Sequence, residues 1–185
     1  MKKLLLTLLL VAFVSCFAVA QTSAGSKLIG GSGTLHINIE GDERDPSFVV
    51  LSPRFGFFVS DKLALGTAIP VLVSASSVAV NSAFGLTPFV RLYGGSSVNR
   101  MLLEVRAGYN YSIYKNKETD VSVTEGYLSY GVGAGYVHFV NEHVGLELML
   151  SYDKSDESMP NIEYSHLNGI NLNIGLQIYL LPRKE

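Results

Sequence analysis

Residues 169–180, GINLNIGLQIYL, constrain this chain more than any other stretch. Ile170, Leu172, Ile174, Leu176, Ile178 and Leu180 fall on one parity, and Asn171, Asn173, Gly175, Gln177 and Tyr179 on the other. Side chains alternate across a strand, so this is one long strand with an oily face and a wet one. Asparagine at alternate positions suits no globular core. The pattern fits a sheet lying between hydrocarbon and a polar interior. Left as a free edge, such a strand would recruit other chains, so the sheet is expected to close on itself.

The first twenty residues stand apart from the fold. Lys2 and Lys3 make a basic start, Leu4 to Phe13 an apolar run, and Ala18-Val19-Ala20 the small residues cut by a signal peptidase. The run is shorter than the roughly 20 residues of a spanning helix. The reading is a secretory signal over 1–20, cleaved before Gln21, and one domain over 21–185. Cys16 permits a weaker alternative, lipoprotein processing before that residue, but Phe13 stands where such sites usually carry Leu. Cys16 is the only cysteine, so the mature chain has no disulfide and no thiolate site.

Removal of Lys2 and Lys3 takes the basic side chains from 14 to 12 against 16 acidic ones, a net charge of −4. That balance lacks the electropositive footprint of a nucleic-acid binder. With 48% hydrophobic and 16% charged residues the chain is oily for a soluble domain. Yet no apolar run after residue 20 is long enough to span as a helix. An exported, oily chain of this kind points to a membrane β-barrel.

Seven further alternating segments precede the last one, at about 31–40, 48–59, 63–74, 83–93, 101–114, 126–140 and 144–153. The breaks at 60–62 and 141–143 are tight and that at 94–100 is moderate. Those at 41–47, 75–82, 115–125 and 154–164 are longer and more polar. Eight strands with short turns at one end and long loops at the other describe an all-β, eight-stranded antiparallel up-and-down transmembrane barrel. Segment one is expected to close it by pairing with residues 166–181. An internal echo accompanies the pattern, Phe58-Val59-Ser60-Asp61-Lys62-Leu63-Ala64-Leu65 against Phe139-Val140-Asn141-Glu142-His143-Val144-Gly145-Leu146.

FFVSDKLALG (57–66), TPFVRLYGG (87–95) and the closing GLQIYL resemble the small eight-stranded outer-membrane β-barrel proteins of Gram-negative bacteria, the OmpX- and OmpW-like porin-family domains. The likeness covers the mature chain as a pattern of hairpins and carries no active-site motif. Members of that group commonly end on an aromatic residue that assists assembly. This chain continues past Tyr179 to Glu185. The resemblance implies an outer-membrane location, contact with lipid and lipopolysaccharide, insertion by the outer-membrane assembly machinery, and a monomer.

A secreted lipocalin-like barrel would also alternate, and charge placement argues against it. Lys27, Lys62, Lys115, Lys117, Lys154 and Lys184 fall in turns, loops or termini, whereas a water-facing sheet would scatter lysines along its strands. The mid-strand charges Arg54, Arg91, Glu104, Arg106 and Glu147 all lie opposite the aliphatic parity, with Glu40 and Asp153 nearer the ends. Arg or Lys at mid-depth on a lipid face costs about 2–4 kcal/mol, which enforces such confinement. Eight strands leave an interior just wide enough for side chains. Arg54, Arg91, Glu104, Arg106 and Glu147 are therefore expected as a paired polar plug, with a conducting or ligand-binding interior as the alternative. Phe57, Tyr93, Tyr136, Phe139 and Tyr179 near the short turns are expected to form a lipid-interface girdle, with Phe48, Phe84, Tyr111, Tyr114, Tyr127 and Tyr152 toward the loops.

Little points to chemistry. His138 and His143 sit five apart across a turn with no cysteine to join them, so no metal site is expected, and no cofactor. Ser165 and His166 with Glu163 are the nearest approach to a catalytic group, but adjacent residues on a strand point apart. The acidic clusters Asp42-Glu43-Asp45 and Asp153-Asp156-Glu157 read as solvated loops, with divalent-cation binding as the alternative. The expected function is a non-enzymatic outer-membrane protein serving envelope structure, adhesion or stress resistance, with loops 41–47, 115–125 and 154–165 open to extracellular ligands. A lipid-modifying enzyme and an OmpW-like route for small hydrophobic ligands are the competing readings.

Overall fold

The computed structural model describes residues 22–36, 47–75, 79–95, 98–117, 119, 121–156 and 168–182. Nine β-segments run through them: β1 (Lys27–His36), β2 (Ser47–Phe58), β3 (Leu63–Ala68), β4 (Val71–Ala75), β5 (Ala79–Gly94), β6 (Asn99–Asn116), β7 (Ser122–Phe139), β8 (Val144–Ser155) and β9 (Gly169–Leu180). All pairings are antiparallel, and β1 pairs with both β2 and β9, which closes the sheet.

β3 and β4 are two halves of one strand. Arg54 pairs with Ala68 and Leu51 with Val71 on one side, while Ala68 pairs with Thr87 and Val71 with Phe84 on the other. The register is unchanged across the gap. Ile69 N donates to Pro53 O at 2.9 Å and Gly85 N to Pro70 O at 3.2 Å, so the ladder continues through it. Pro70 has no N–H to give, which interrupts the hydrogen bonding and not the strand. The architecture is a closed eight-stranded antiparallel barrel.

Three boundaries differ from the sequence pattern by four residues, one of them the start of β5, at Ala79 rather than near 83. The first strand begins at Lys27 rather than near residue 31, because Gly30-Gly31-Ser32-Gly33 is paired strand and not a turn. A Cβ on Gly30 would collide with Gln177 Oε1 and the Leu176 carbonyl, so glycine lets the interior side chain of β9 lie over β1. At the other end, Ser122–Glu125, expected in a loop, pair with Ser112–Lys115. The β-branched Val123 and Thr124 oppose Tyr114 and Ile113, a combination that favours strand. β6 and β7 thus reach 18 residues each, roughly 60 Å of extended chain. Crossing a bilayer takes about 9–11 residues, so this hairpin, with β5 paired along β6 as far as Ala79–Asn116, continues beyond a span.

The two tight turns of the internal echo share one device. Ser60 Oγ accepts from Leu63 N at 3.2 Å, and Asn141 Oδ1 accepts from His143 N and Val144 N at 2.8 and 2.9 Å. Ser60 and Asn141 occupy equivalent places in the repeated octet, each satisfying backbone donors that the turn leaves over. Beneath this end, residues 22–26 fold across the barrel mouth. Gly25 N donates to Phe58 O and Phe58 N to Ser26 O, both at 2.8 Å.

Leu51, Phe55, Leu92, Leu103, Val105, Leu128, Val132, Leu148, Leu150, Leu172 and Ile174 face outward and stay exposed. Among the described residues the outward lysines Lys27, Lys115 and Lys154 lie near strand ends, and no outward position at mid-strand carries a charge. Leu148→Arg should therefore lower the unfolding free energy by about 2–4 kcal/mol. Urea unfolding from phospholipid vesicles measures it, and an unchanged transition would mean that this face meets water.

Candidate functional site

The lumen is the only enclosed space that the alternation creates among the described residues, and it has three layers. The layer nearest the short turns is aromatic. Phe58, Tyr93, Phe139 and Tyr179 meet there, with ring centroids 5.3 Å apart for Phe58–Tyr93, 4.8 Å for Phe139–Tyr179 and 6.1 Å for Phe58–Tyr179. Leu28, Leu102 and Val137 fill the gaps. Under this layer the buried Thr22 and Ser26 complete the floor, and Arg100 donates to Thr22 Oγ1, which in turn donates to the Asp61 carbonyl at 2.7 Å.

The middle layer is ionic. Arg91 and Glu104 are direct cross-strand partners on β5 and β6, and Arg91 Nε donates to Glu104 Oε2. The other end of Arg91 grips Glu147 on β8, Nη1 to Oε1 at 2.6 Å and Nη2 to Oε2 at 3.2 Å. Arg106 Nη1 donates to Glu104 Oε1 at 2.6 Å, and its Nε and Nη2 hold Asp153 at 2.9 and 2.6 Å. Arg54 Nη1 reaches Glu104 Oε2 at 3.2 Å and its Nη2 reaches Ser32 Oγ at 3.4 Å. Gln177 Nε2 donates to Glu147 Oε2 at 3.0 Å. Three arginines face three carboxylates, and the first glutamate serves all three arginines. β7 contributes bulk-free inward positions here: Gly131, Gly133 and Gly135 leave the space that Asp153 and Met149 occupy.

The layer nearest the long loops is small and hydroxyl- or amide-bearing. Asn110 Nδ2 donates to Ser129 Oγ at 2.7 Å and Asn173 Nδ2 to Ser151 Oγ at 3.1 Å. Side chains this short do not fill the tube, and a cavity of ≈ 150 Å³ remains above the ions.

The structure therefore turns Arg54, Arg91, Glu104, Arg106 and Glu147 inward and brings them together. It corrects the girdle. Phe57 and Tyr136 face outward, but Tyr93, Phe139 and Tyr179 are buried in the lumen, at 1%, 2% and 0% exposure. The reason is parity. Tyr93 lies two residues from Arg91, Tyr179 two from Gln177, and Phe139 two from Val137, so nearness to the rim could not turn them to lipid. Toward the loops Phe84, Tyr111 and Tyr152 do face outward, while Tyr114 and Tyr127 are partly buried. The sequence reading did not name Gln177 or Arg100 for the lumen network and kept Asp153 at its margin. Gln177 and Asp153 were findable by parity; Arg100 was not, because it was assigned to a turn.

The remaining candidates do not assemble. His138 and His143 are exposed, and His138 Nδ1 pairs with Asn99 Oδ1 at 2.7 Å. Among the described residues no cluster of three His, Cys, Asp or Glu could hold a metal ion. Glu163, Ser165 and His166, the acidic residues 42–45 and Glu157, and the leader 1–20 lie outside the described residues.

No protein-family model and no curated protein sequence matches this chain. Solved structures do. The N-terminal β-barrel domain of Pseudomonas aeruginosa OprF is similar with a TM-score of 0.54 at 15% identity, over 86% of this chain and 100% of that one. Neisserial surface protein A gives 0.52 at 11% identity, over 83% and 94%. This is the fold of the small eight-stranded outer-membrane β-barrels. At such identities the likeness is one of fold, and what the lumen does must come from its own residues.

The ionic layer carries a direct test. Arg91→Leu leaves Glu147 without its bidentate partner and strips Glu104 of one of three cations. Removing one partner of a buried ion pair costs about 3–5 kcal/mol. The double variant Arg91→Leu/Glu147→Leu should recover part of that loss. Both are read from unfolding in vesicles, and a single variant as stable as the parent would mean that Arg91 is dispensable.

Proposed function

We propose that this chain is a non-enzymatic integral protein of the outer membrane, exported through a leader over residues 1–20, with a blocked interior and loops that serve envelope structure, adhesion or stress resistance. The observation that supports this most is the stacked blockade of the lumen. An ion network spans β2, β5, β6 and β8, an aromatic layer lies below it, and residues 22–26 close the mouth beneath. Ions or solutes crossing such a tube would have to break paired charges and repack buried rings. The barrel carries its partners on its outside: hydrocarbon along the oily face, and lipopolysaccharide and extracellular ligands at the loop end. Insertion by the assembly machinery and a monomeric state complete the reading.

The hydrophobic-ligand route needs a continuous apolar trough, and the lumen at mid-height is crossed by paired Arg, Glu and Asp side chains beside the buried Phe89 and Met149. The enzymatic reading has no described group to rest on. Planar bilayers test the proposal. The purified, refolded barrel should give no stable unitary conductance of porin size, and persistent large steps would overturn the blocked interior.

A further inference from the structure

We propose that the upper lumen is a binding cup for a small hydroxylated carboxylate of the size and chemistry of a sugar acid, with Arg54 receiving the carboxylate. The inference rests on the reading of the barrel as blind-ended and gives that blind end a ligand.

Charge within the ionic layer is unevenly met. Arg91 takes both oxygens of Glu147, and Arg106 takes Asp153 through two of its nitrogens. Glu104 also accepts from Arg91 and is held at 2.6 Å by Arg106, and its contact with Arg54 is 3.2 Å. The Arg54 side chain is nearly fully buried, and its Nε has no partner among the described residues. Within the ionic layer Arg54 is the guanidinium with the longest ion-pair contact, and it lies in the lining of the ≈ 150 Å³ cavity. Its planar fork matches a carboxylate better than any spherical anion. Asp153, also in the lining, does not oppose this, because it already accepts from Arg106, Ser151 and Asn171.

The walls specify the rest of the ligand. One side of the cavity carries Asn110, Ser129, Asn171 and Asn173, which can exchange hydrogen bonds with hydroxyls; the other carries Val50, Ala68 and Pro70, an apolar surface for a ring face. A wet edge and a greasy face together describe a sugar. A water needs about 10–15 Å³ of such volume, so the cavity holds on the order of ten water-sized groups, the scale of one hexuronic acid. Entry is from the loop end alone, since the aromatic layer closes the other.

Calorimetry on the refolded barrel in detergent, with glucuronate as probe and glucose and sulfate as comparators, decides the matter. Glucuronate should bind at least ten-fold more tightly than glucose or sulfate, and at least ten-fold more weakly to Arg54→Gln. Ser52→Leu, which narrows the cup above the ions, should weaken it as much; it decides alone if Arg54→Gln loses the heat-dependent gel shift of a folded barrel. Glucuronate binding no tighter than glucose or sulfate, or undiminished in folded variants, would overturn the cup. A free acid and a carboxylated sugar of surface polysaccharide present the same group. Displacement of glucuronate by lipopolysaccharide supports the surface source, and its failure to displace bound glucuronate supports the free one. A silent barrel that ignores glucuronate removes the cup alone, whereas a conducting barrel that binds it removes the blocked interior alone.

Discussion

Arg91, held between Glu104 on one side and Glu147 on the other, is the interaction on which the lumen depends. Closing a sheet in hydrocarbon leaves no edge and sends every polar side chain inward. Eight strands then leave an interior little wider than its side chains, so the mid-height charges pair with one another. Arg91 joins β5 to β6 and β8, Arg106 joins β6 to β8, and Arg54 joins β2 to β6. The network thus ties four strands that are not all neighbours in the sheet. Its worth is not raw stability, since buried pairs are often matched by well-packed apolar residues. An apolar lumen would make both faces of each strand alike, and a one-residue slip would then go unpunished. Charges on one face make such a slip place an arginine in lipid.

The aromatic layer follows from the same geometry by another route. Near the short turns the inward positions include Leu28, Phe58, Tyr93, Leu102, Phe139 and Tyr179, large groups that fill the tube above Arg100. Tyr93 lies at the seam of the two layers: its hydroxyl accepts from Arg91 Nη1 at 3.3 Å and lies 3.4 Å from that of Tyr179. Toward the loops many inward positions carry Ser, Asn or Thr among larger groups such as Leu72 and Tyr127, and a cavity remains. One end is a plug and the other a cup, and side-chain size along the inward parity makes the difference.

Most of this was legible because a two-residue period carries both strand and face at once. The closing strand 169–180 coincides with β9, and the five mid-strand charges share the lumen because parity is a rigid constraint. The girdle failed where rim proximity was allowed to outrank parity, although Tyr93 and Tyr179 sat on the wet parity throughout. Gly30 to Gly33 hid the start of β1, since glycine-rich stretches read as turns and only the neighbouring Gln177 explains them as strand. Which charges pair across strands could not be read. Arg106 shares the strand and face of Glu104, but Arg91 and Arg54 meet it only through hydrogen-bond register, which alternation does not fix. The strap of residues 22–26 was equally hidden, because no periodicity marks a segment that packs by backbone contacts.

The two ends of the barrel differ in what they can do. At the short-turn end, Ser60 and Asn141 fasten the turns, Ala24 N donates to Asp61 Oδ1 at 2.9 Å, and the strap is bonded to both the N–H and the carbonyl of Phe58. Such an end is braced against opening. At the other end β6 and β7 continue well beyond the length that a bilayer needs, so a paired hairpin and not a bare loop projects from the surface. A ligand arriving there meets a rigid ledge first, then the amide and hydroxyl wall of the cup, and last Arg54. Because the ionic layer is continuous, a group bound at Arg54 competes for the same guanidinium that Glu104 uses. Occupancy of the cup and cohesion of the barrel are thereby coupled through one carboxylate.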